Sequence, residues 1–512
     1  MPLWFMFACG ATGFMVAWSL VPLLQRWSAR RESGAGERGF HHTHTAPISR
    51  LGGVAIVAGF VLACGLAAGF LHFSGAEHSA NWTIIAGSLA VFALGLRDDF
   101  KPLGAKVKLA VQVLIAAAVY AAGVQISQVK NPLTGIEYQL GAWGFAATVF
   151  WLVALTNLIN LIDGIDGLAG GIALMLMGLL AYFSFGADPF VVLLSVGTAG
   201  AVLGFLFHNF PPAKIYMGDG GAYFLGFLIG ALTIVNSHKG TVAAALIAPV
   251  FALALPIADV TLAIVRRGLK GLPIFRPDRK HIHHRLVDFG FSRRGAVLAL
   301  YGVSLACLLM AFVVFWSRGQ LAPILVGAMF LIFFVSARLF GFVKDWYSIG
   351  KELGVSLRLR RETRYALAAL QWLELEAERC GTLQELWTSY LFVTRKLGLA
   401  RVKLHLDNGR TVSREQLPSG GISGPATTQT SILRRHRHEM QLANIKAIEF
   451  ASEEETMSPQ QFEHLTELAA EGWMKAVQRW QAVNQLPVSF EPALPSETAF
   501  FSRGRALISN VA

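Results

Sequence analysis

Residues 143–167 read WGFAATVFWLVALTNLINLIDGIDG. The apolar part, over 143–160, predicts a transmembrane helix, and its end carries two carboxamides and two carboxylates: Asn157, Asn160, Asp163 and Asp166. An ionisable side chain inside a span costs about 2.5–3.5 kcal/mol on insertion scales, so it marks either a functional site or the end of the span. We expect both here.

These four polar residues follow one another at intervals of three. On a helix of 3.6 residues per turn, neighbours in such a series share a side, but the first and the last point half a turn apart. We therefore predict that the helix ends near Gly164 and that glycines after it let the backbone approach a ligand. Helix capping by Asp or Asn is the alternative, and it accounts for one of the four residues.

The composition places this segment in a protein with many spans. Of 512 residues, 54% are hydrophobic and 15% charged, and the mean hydropathy is +0.50, which is far from a soluble domain. The first apolar segment lacks the basic start and cleavage site of a signal peptide, so we interpret it as a retained span. We predict an all-α polytopic membrane bundle of about 11 transmembrane helices, over 3–25, 51–73, 80–96, 108–124, 143–160, 168–186, 189–208, 222–236, 242–265, 295–316 and 320–343.

Basic residues predict the orientation of the bundle. Alternate loops, with Lys108 at the edge of its span, hold 19 Lys and Arg residues against 3 on the other side, so these loops and the C-terminus are expected in the cytoplasm. The same loops explain the net charge of +12, which would attract anionic headgroups or an anionic substrate. Nucleic acid is excluded as a partner because no basic run with interleaved aromatic residues is present.

A second region begins where the composition becomes charged, near residue 344. We divide the chain into a transmembrane domain (1–343), a helical linker (344–383), a small cytoplasmic α/β accessory domain (384–484) and a flexible tail (485–512). In the region after residue 344, helices are expected over 351–380, 384–397 and 458–483, and strands over 401–406 and about 440–451. The accessory domain resembles a GAF-like module, with an unrelated fold as the alternative.

Two further acidic motifs lie in predicted cytoplasmic loops. Asp98 and Asp99 are adjacent and are followed by Lys106 and Lys108. Adjacent carboxylates raise each other's pKa unless a cation is near, so a metal ion or these lysines should accompany them; a solvated loop is the alternative. Asp219 stands among glycines just before an apolar span, where it would face a ligand or simply cap the helix.

The last motif, over 276–285, reads RPDRKHIHHR. Its three histidines suggest zinc, but no cysteine or carboxylate accompanies them at the usual spacing. Binding of phosphate oxygens by this cationic loop is the better interpretation. Oxygen ligands suited to Mg²⁺ and a cationic loop suited to a diphosphate, both beside lipid, indicate phosphoryl transfer between a nucleotide and a lipid.

These motifs give the chain a family resemblance over about residues 40–300. It resembles the polyprenyl-phosphate N-acetylhexosamine-1-phosphate transferases. The resemblance is carried by five motifs in order: H44xxPxxRxGG, D98D with K108xxxQ, N157xxNxxDGxDGLA, M217GDxG and P277DRxHIHHRL. It departs from the family pattern at Ser49, Pro102 and Ala222, of which Pro102 most affects the expected handling of the prenyl phosphate.

The resemblance implies a reaction and a set of roles. A polyprenyl phosphate would attack the β-phosphorus of a UDP-N-acetylhexosamine and release UMP, with Mg²⁺, or alternatively Mn²⁺, bound to Asn160 and Asp219. The implied catalytic residues are Asp98, Asp99, Lys108, Asp163, Asp166, His281, His283 and His284. The implied substrate-binding residues are His44, Arg50, Asn157, Arg279 and Arg285.

The resemblance also implies a bacterial inner membrane location with a cytoplasmic active site, and it leaves monomer and homodimer open. The competing hypothesis is an ion-coupled transporter with a cytoplasmic regulatory domain, which would place its acidic groups near the middle of the bilayer. A non-catalytic membrane sensor is a second alternative, but it leaves the Asp and His clusters unexplained.

Overall fold

The structure is a computed structural model, in which the described residues form two compact units. One comprises residues up to 265 together with 277–344, and the other 345–512 with 266–276. The described residues are 2–32, 48–73, 82–130, 136–236, 249–254, 257–258, 261, 264, 267–268, 286, 290–317, 320–339, 346–407, 409–415, 433–442, 444–453, 457–486 and 488.

The first unit is helical. Its described helices are α1 (Leu3–Glu32), α2 (Gly52–Phe73), α3 (Trp82–Phe100), α4 (Ala105–Ala121), α5 (Trp143–Ile162), α6 (Leu168–Ser184), α7 (Pro189–Asn209), α8 (Gly218–Asn236), α9 (Arg293–Trp316) and α10 (Ala322–Leu339). Six of the described helices (α1, α2, α5, α7, α8 and α9) are long and apolar enough to cross a membrane. This supports a multi-pass membrane protein, while the count of eleven stays a prediction and the span expected over 242–265 lies largely outside the described residues.

Helix α8 is the central element of this unit. Every residue from Gly220 to Asn236 is buried, and its neighbours include α2, α3, α5 and α6. Glycines allow the closest approaches: an added Cβ on Gly53 of α2 would lie 2.4 Å from the Gly221 nitrogen, and one on Gly226 would lie 2.5 Å from the Leu155 oxygen. Close approach of backbones through small residues is how helices pack in a bilayer.

The loop between α4 and α5 contains an element that the sequence analysis missed. Strands β1 (Gln128–Lys130) and β2 (Glu137–Gln139) pair antiparallel as a short hairpin. The backbone N–H of Ile126 donates to the Thr148 hydroxyl of α5, which ties this hairpin to the bundle. Three-residue strands carry too short a pattern to be recognised in sequence.

The second unit packs helices on a four-stranded antiparallel sheet. The helices are α11 (Trp346–Glu376), α12 (Leu383–Lys396) and α13 (Pro459–Asn484). The strands are β3 (Arg401–Leu406), β4 (Thr411–Glu415), β5 (Leu433–Leu442) and β6 (Ile445–Glu453), in the order β4-β3-β6-β5.

The expected helices and the strand over 401–406 are present in this unit. The single strand expected over about 440–451 is wrong. It is the hairpin of β5 and β6, which turns near Asn444, a residue with a φ of 67°. Asn tolerates this left-handed conformation better than most residues, but alone it is a weak turn signal beside an apolar pattern.

Candidate active site

The site lies where α3, α4, α5 and α8 begin or end. Helix α5 ends at Ile162, as expected from the polar series, and α6 begins after Gly167, which has a φ of 78° that favours glycine. The loop before α8 is held to α2, because the N–H groups of Gly52 and Gly53 donate to the carbonyls of Tyr216 and Met217. Asp219 is thereby fixed in the first turn of α8.

Asp219 is the centre of the polar cluster. The Asn160 amide lies 3.0 Å from Asp219 Oδ1, and Lys108 Nζ lies 3.2 Å from Asp219 Oδ2 and 2.9 Å from Asp98 Oδ2. These four residues come from four different helices. We call them the acid–lysine cluster: Asp98, Lys108, Asn160 and Asp219.

The acid–lysine cluster is partly open to solvent, with 28% of the Asp219 side chain and 23% of that of Lys108 exposed. Burial acts to raise the pKa of Asp98, but hydrogen bonds with the Asp219 carboxyl, the Leu103 N–H and Lys108 outweigh it and lower the pKa. These hydrogen bonds therefore keep Asp98 negatively charged at neutral pH.

Asp99 points elsewhere. Its two carboxylate oxygens accept the N–H groups of Asp219 and Gly220, each at 2.9 Å, so that it caps the start of α8. Burial is the main cause that raises the pKa of Asp99 to about 6, and the nearby charge of Asp219 adds to it. This contact favours a positioning role for Asp99, because both of its oxygens bind the backbone that carries Asp219.

The four polar residues at the end of α5 have different partners, as expected from their spacing of three residues. Asn157 donates to Gln112 Oε1 at 2.7 Å, whereas Asn160 reaches Asp219. Asp166 Oδ2 accepts the N–H of Ala213 at 3.0 Å and so braces the loop after α7. Asp163 directly follows α5 and is half-buried, and burial and the charges of Asp219, Asp99 and Asp166 raise its pKa well above the usual range.

Two residues that hold the loop between α5 and α6 at Gly167 were missed by the sequence analysis. Asn209, 3% exposed, accepts the N–H of Gly167 and donates to the carbonyl of Ile215. The Tyr301 hydroxyl donates to the Gly167 carbonyl at 2.5 Å. An Asn at the end of an apolar helix is a detectable signal, but a lone Tyr within a span is not.

Arg50 is among the described residues and is exposed, and its positive charge acts to lower the pKa of Asp99. The remaining predicted substrate and catalytic residues, namely His44, Arg279, His281, His283, His284 and Arg285, lie outside the described residues. Among the described residues, no three His, Cys, Asp or Glu side chains form a metal-binding group. The donors near Asp219 are instead the two carboxylates and the carboxamide of the acid–lysine cluster, and its ammonium lies between the carboxylates.

The chain is similar to a known family and to several named proteins. The sequence profile of glycosyl transferase family 4 matches residues 81–237, which contain the whole acid–lysine cluster. A Bacillus subtilis protein named "Probable undecaprenyl-phosphate N-acetylglucosaminyl 1-phosphate transferase" is 35% identical over 303 residues, covering 59% of this chain and 83% of its own length.

Two more relatives carry similar names. A decaprenyl-phosphate N-acetylglucosaminephosphotransferase of Mycobacterium tuberculosis is 33% identical over 317 residues, which is 56% of this chain and 77% of the relative. An undecaprenyl-phosphate alpha-N-acetylglucosaminyl 1-phosphate transferase of Salmonella typhi is 28% identical over 336 residues, or 64% and 88%.

The fold and the site define a multi-pass membrane protein with an acid–lysine cluster at the ends of its helices. The chain belongs to glycosyl transferase family 4, which matches the resemblance found in its motifs. The transporter hypothesis is not supported. In the six candidate spans of the described residues, the one carboxylate is Asp219, which is the second residue of α8 and not near its middle.

Proposed function

We propose that this protein transfers N-acetylhexosamine-1-phosphate from a UDP-sugar to polyprenyl phosphate. An oxygen of the lipid phosphate forms a bond to the β-phosphorus, and the bond from this phosphorus to the bridging oxygen breaks. UMP leaves with that electron pair, and the product is a polyprenyl-diphosphate sugar that initiates a lipid-linked cell-surface polysaccharide. The membrane location of the site suits one lipid and one water-soluble substrate.

The single observation that carries this proposal is the convergence of Lys108, Asn160 and Asp219 from three helices. Phosphoryl transfer asks the protein mainly for positioning and charge neutralisation. Lys108 would hold a phosphate, and Asp98 orients that ammonium through its 2.9 Å contact. The lipid phosphate, with a second pKa near 6, is largely ionised at pH 7 and has little need of a base.

Mg²⁺ is the proposed cofactor, with Mn²⁺ as the alternative. The donor types suit such an ion, because carboxylate and carboxamide oxygens are hard ligands and Asp219 is partly exposed. The Asn160 amide nitrogen donates to Asp219 Oδ1 here, so the Asn160 side chain would turn its oxygen toward a bound ion. When bound, the ion would neutralise charge on the diphosphate. Asp98 and Lys108 would meet the lipid phosphate beside it.

The other roles follow from the resemblance of the motifs to the family. Arg50 and Asn157 would contact substrate, and Asp163 and Asp166 would support the nucleotide side through the loop that Asp166 braces. The loop over 276–285 would bind the pyrophosphate or the sugar. We propose that the bundle lies in the inner membrane of a bacterium, with the site and the second unit in the cytoplasm. The excess of Lys and Arg in alternate loops supports this orientation, because such loops are retained on the cytoplasmic side.

The test is UMP release by the purified protein in lipid, with undecaprenyl phosphate, Mg²⁺ and UDP-N-acetylglucosamine. We expect turnover that chelation by EDTA abolishes and Mg²⁺ restores, and a loss of at least about 100-fold in Asp219→Ala, because a removed charge-stabilising group commonly costs that much.

Asp188→Ala is the matched control for this experiment. Asp188 caps the start of α7, accepting the N–H groups of Phe190 and Val191, so its loss removes an aspartate from a helix start outside the cluster. It should keep its turnover. Full turnover by Asp219→Ala would remove that residue from the mechanism, and no turnover with any of a panel of UDP-sugars would contradict the proposed reaction. The same panel distinguishes N-acetylglucosamine from N-acetylgalactosamine and deoxy sugars.

A further inference from the structure

A second polar contact joins α4 and α5 beside the acid–lysine cluster. The side-chain nitrogen of Asn157 donates to Gln112 Oε1 at 2.7 Å and to the carbonyl of Val153 at 2.8 Å. Gln112 is 2% exposed and Asn157 is half-buried. We call Gln112 and Asn157 the carboxamide pair.

The carboxamide pair lies one helical turn from the acid–lysine cluster, on the same two helices. Gln112 follows Lys108 by four residues in α4. Asn157 precedes Asn160 by three residues in α5. Residues three or four apart lie on the same face of a helix. Because Lys108 and Asn160 both contact Asp219, the carboxamide pair forms a second polar layer beside that contact, nearer the middle of both helices.

The two hydrogen bonds of Asn157 fix the orientation of its side-chain amide. Its nitrogen has two N–H groups and makes two contacts, with Gln112 Oε1 and with the Val153 carbonyl. Half a turn of the amide would bring its oxygen against the Val153 carbonyl oxygen, and the two oxygens would repel each other. Asn157 Oδ1 makes no hydrogen bond to a described residue, so Asn157 has an acceptor left for a ligand.

Gln112 carries a nitrogen that is buried without a partner. Its Nε2 atom makes no hydrogen bond to a described residue, and the other buried residues of α4, Ala116 and Val119, are apolar. A buried donor without an acceptor destabilises a fold, and an apolar side chain of similar shape would avoid this cost. Polar side chains within a membrane bundle mark functional sites. The unpaired nitrogen therefore indicates that Gln112 is present for its oxygen, which holds Asn157.

The acceptor of Asn157 selects the kind of group that it can bind. An amide oxygen accepts hydrogen bonds and so recognises an O–H or N–H group. The head of polyprenyl phosphate is largely ionised at neutral pH, and its oxygens are acceptors. A UDP-N-acetylhexosamine carries donors in its hydroxyl groups and its acetamido N–H. Of the two substrates of the proposed reaction, the nucleotide sugar is therefore the one that suits this oxygen.

We propose that Gln112 is a positioning residue, which holds the Asn157 amide so that its oxygen accepts a hydrogen bond from a hydroxyl or N–H group of the nucleotide sugar. This inference rests on the proposed function, and it adds Gln112 and the direction of the Asn157 contact to it. Gln112 is itself too buried to touch substrate, so it acts through Asn157. Loss of the carboxamide pair affects the use of the nucleotide sugar and not of the lipid.

The first test is the kinetics of UMP release by the full chain in lipid, with the concentration of each substrate varied in turn. Gln112→Leu removes the acceptor and lets the Asn157 amide turn. We expect KM for UDP-N-acetylglucosamine to rise about fivefold or more, as the loss of one hydrogen bond predicts, and KM for undecaprenyl phosphate to change by less than about twofold. A general loss of structure would not separate the two substrates in this way.

Thr156→Val is the matched control for Gln112→Leu. Thr156 is buried in α5 beside Asn157, and its hydroxyl donates to the Leu152 carbonyl of the same helix. The valine removes a buried hydrogen bond next to the carboxamide pair without touching it. Both KM values should stay at those of the parent chain, and the thermal midpoint of each variant checks its folding.

The second test compares Asn157→Asp with Asn157→Leu. Aspartate keeps an oxygen toward the substrate, and Gln112 can turn its unpaired nitrogen to the other oxygen. Asn157→Asp should therefore retain about fivefold or more of the kcat/KM for UDP-N-acetylglucosamine relative to Asn157→Leu. If Asn157 bound a phosphate oxygen through its N–H groups, the aspartate would repel that oxygen and Asn157→Asp would be the less active variant.

Two results would overturn this inference while leaving the proposed function in place. One is a parent-level KM for UDP-N-acetylglucosamine in folded Gln112→Leu, or a rise in KM for undecaprenyl phosphate instead. The other is lower activity in Asn157→Asp than in Asn157→Leu. Absence of turnover by the parent chain with every UDP-sugar would instead overturn the proposed function, and this inference with it.

Discussion

At the scale of single residues, the paired carboxylates of the sequence have different surroundings. Asp98 faces Lys108 across 2.9 Å, whereas both oxygens of Asp99 are used by backbone N–H groups of α8. The sequence motif gives no reason to assign Asp98 and Asp99 different roles, and the resemblance implies a catalytic role for both. Their hydrogen bonds distinguish the two, since Asp99 binds the backbone N–H groups at the start of α8, whereas Asp98 binds the ammonium of Lys108 in the partly exposed cluster.

We predict that Asp99→Ala lowers stability more than Asp99→Asn does. The alanine leaves two part-buried N–H groups without this acceptor, which costs up to about 1–3 kcal/mol for each group that water does not reach, whereas asparagine keeps one oxygen acceptor. The measurement is the thermal midpoint of the purified protein beside UMP release. If Asp99→Asn abolished turnover with an unchanged midpoint, Asp99 would act directly on substrate and the capping role would be secondary.

At the scale of elements, the site depends on how closely α3 approaches α8. Gly95 of α3 packs against the backbone of Asp219, and a Cβ at Gly95 would lie 2.5 Å from the Asp219 carbonyl oxygen. The two helices must separate to admit a methyl group there. Because Lys108 and Asn160 approach Asp219 from other helices, that movement would break the acid–lysine cluster.

Gly95→Ala should therefore lose at least about tenfold in UMP release, because small misplacements at an active site are costly. Gly65→Ala in α2 is the control, since no heavy atom lies within 4 Å of a Cβ at Gly65 and alanine favours helix. The assay compares both variants with the parent at equal amounts of folded protein. Parent-level activity in Gly95→Ala would show that the contact is not required.

At the scale of the whole molecule, the placement of the site depends on the orientation of the bundle. Lys106 is the second residue of α4 and Gln139 ends the hairpin that follows this helix, and both residues are exposed. The basic loops predict that the first faces the cytoplasm and the second the outside. The four native cysteines are buried, so an introduced cysteine can be labelled selectively.

We expect a membrane-impermeant maleimide to label Gln139→Cys in intact spheroplasts and Lys106→Cys only after permeabilisation. The charge bias sets this order, because Lys and Arg are retained on the cytoplasmic side. The parent chain is the background control. The reverse pattern of labelling would place the acid–lysine cluster on the outer side of the membrane, away from cytoplasmic nucleotide sugars.

The sequence by itself determined the membrane class, the end of α5 before Gly164, most helix bounds and the polar motifs. Local periodicity and the cost of charge in lipid are properties of short segments. Only the tertiary structure decided that Asn160, Lys108 and Asp219 meet while Asp99 caps α8 and Asn157 turns to Gln112. Such contacts join residues 45 to 120 positions apart. The packing of helices that brings these residues together is not determined by the sequence of any single segment.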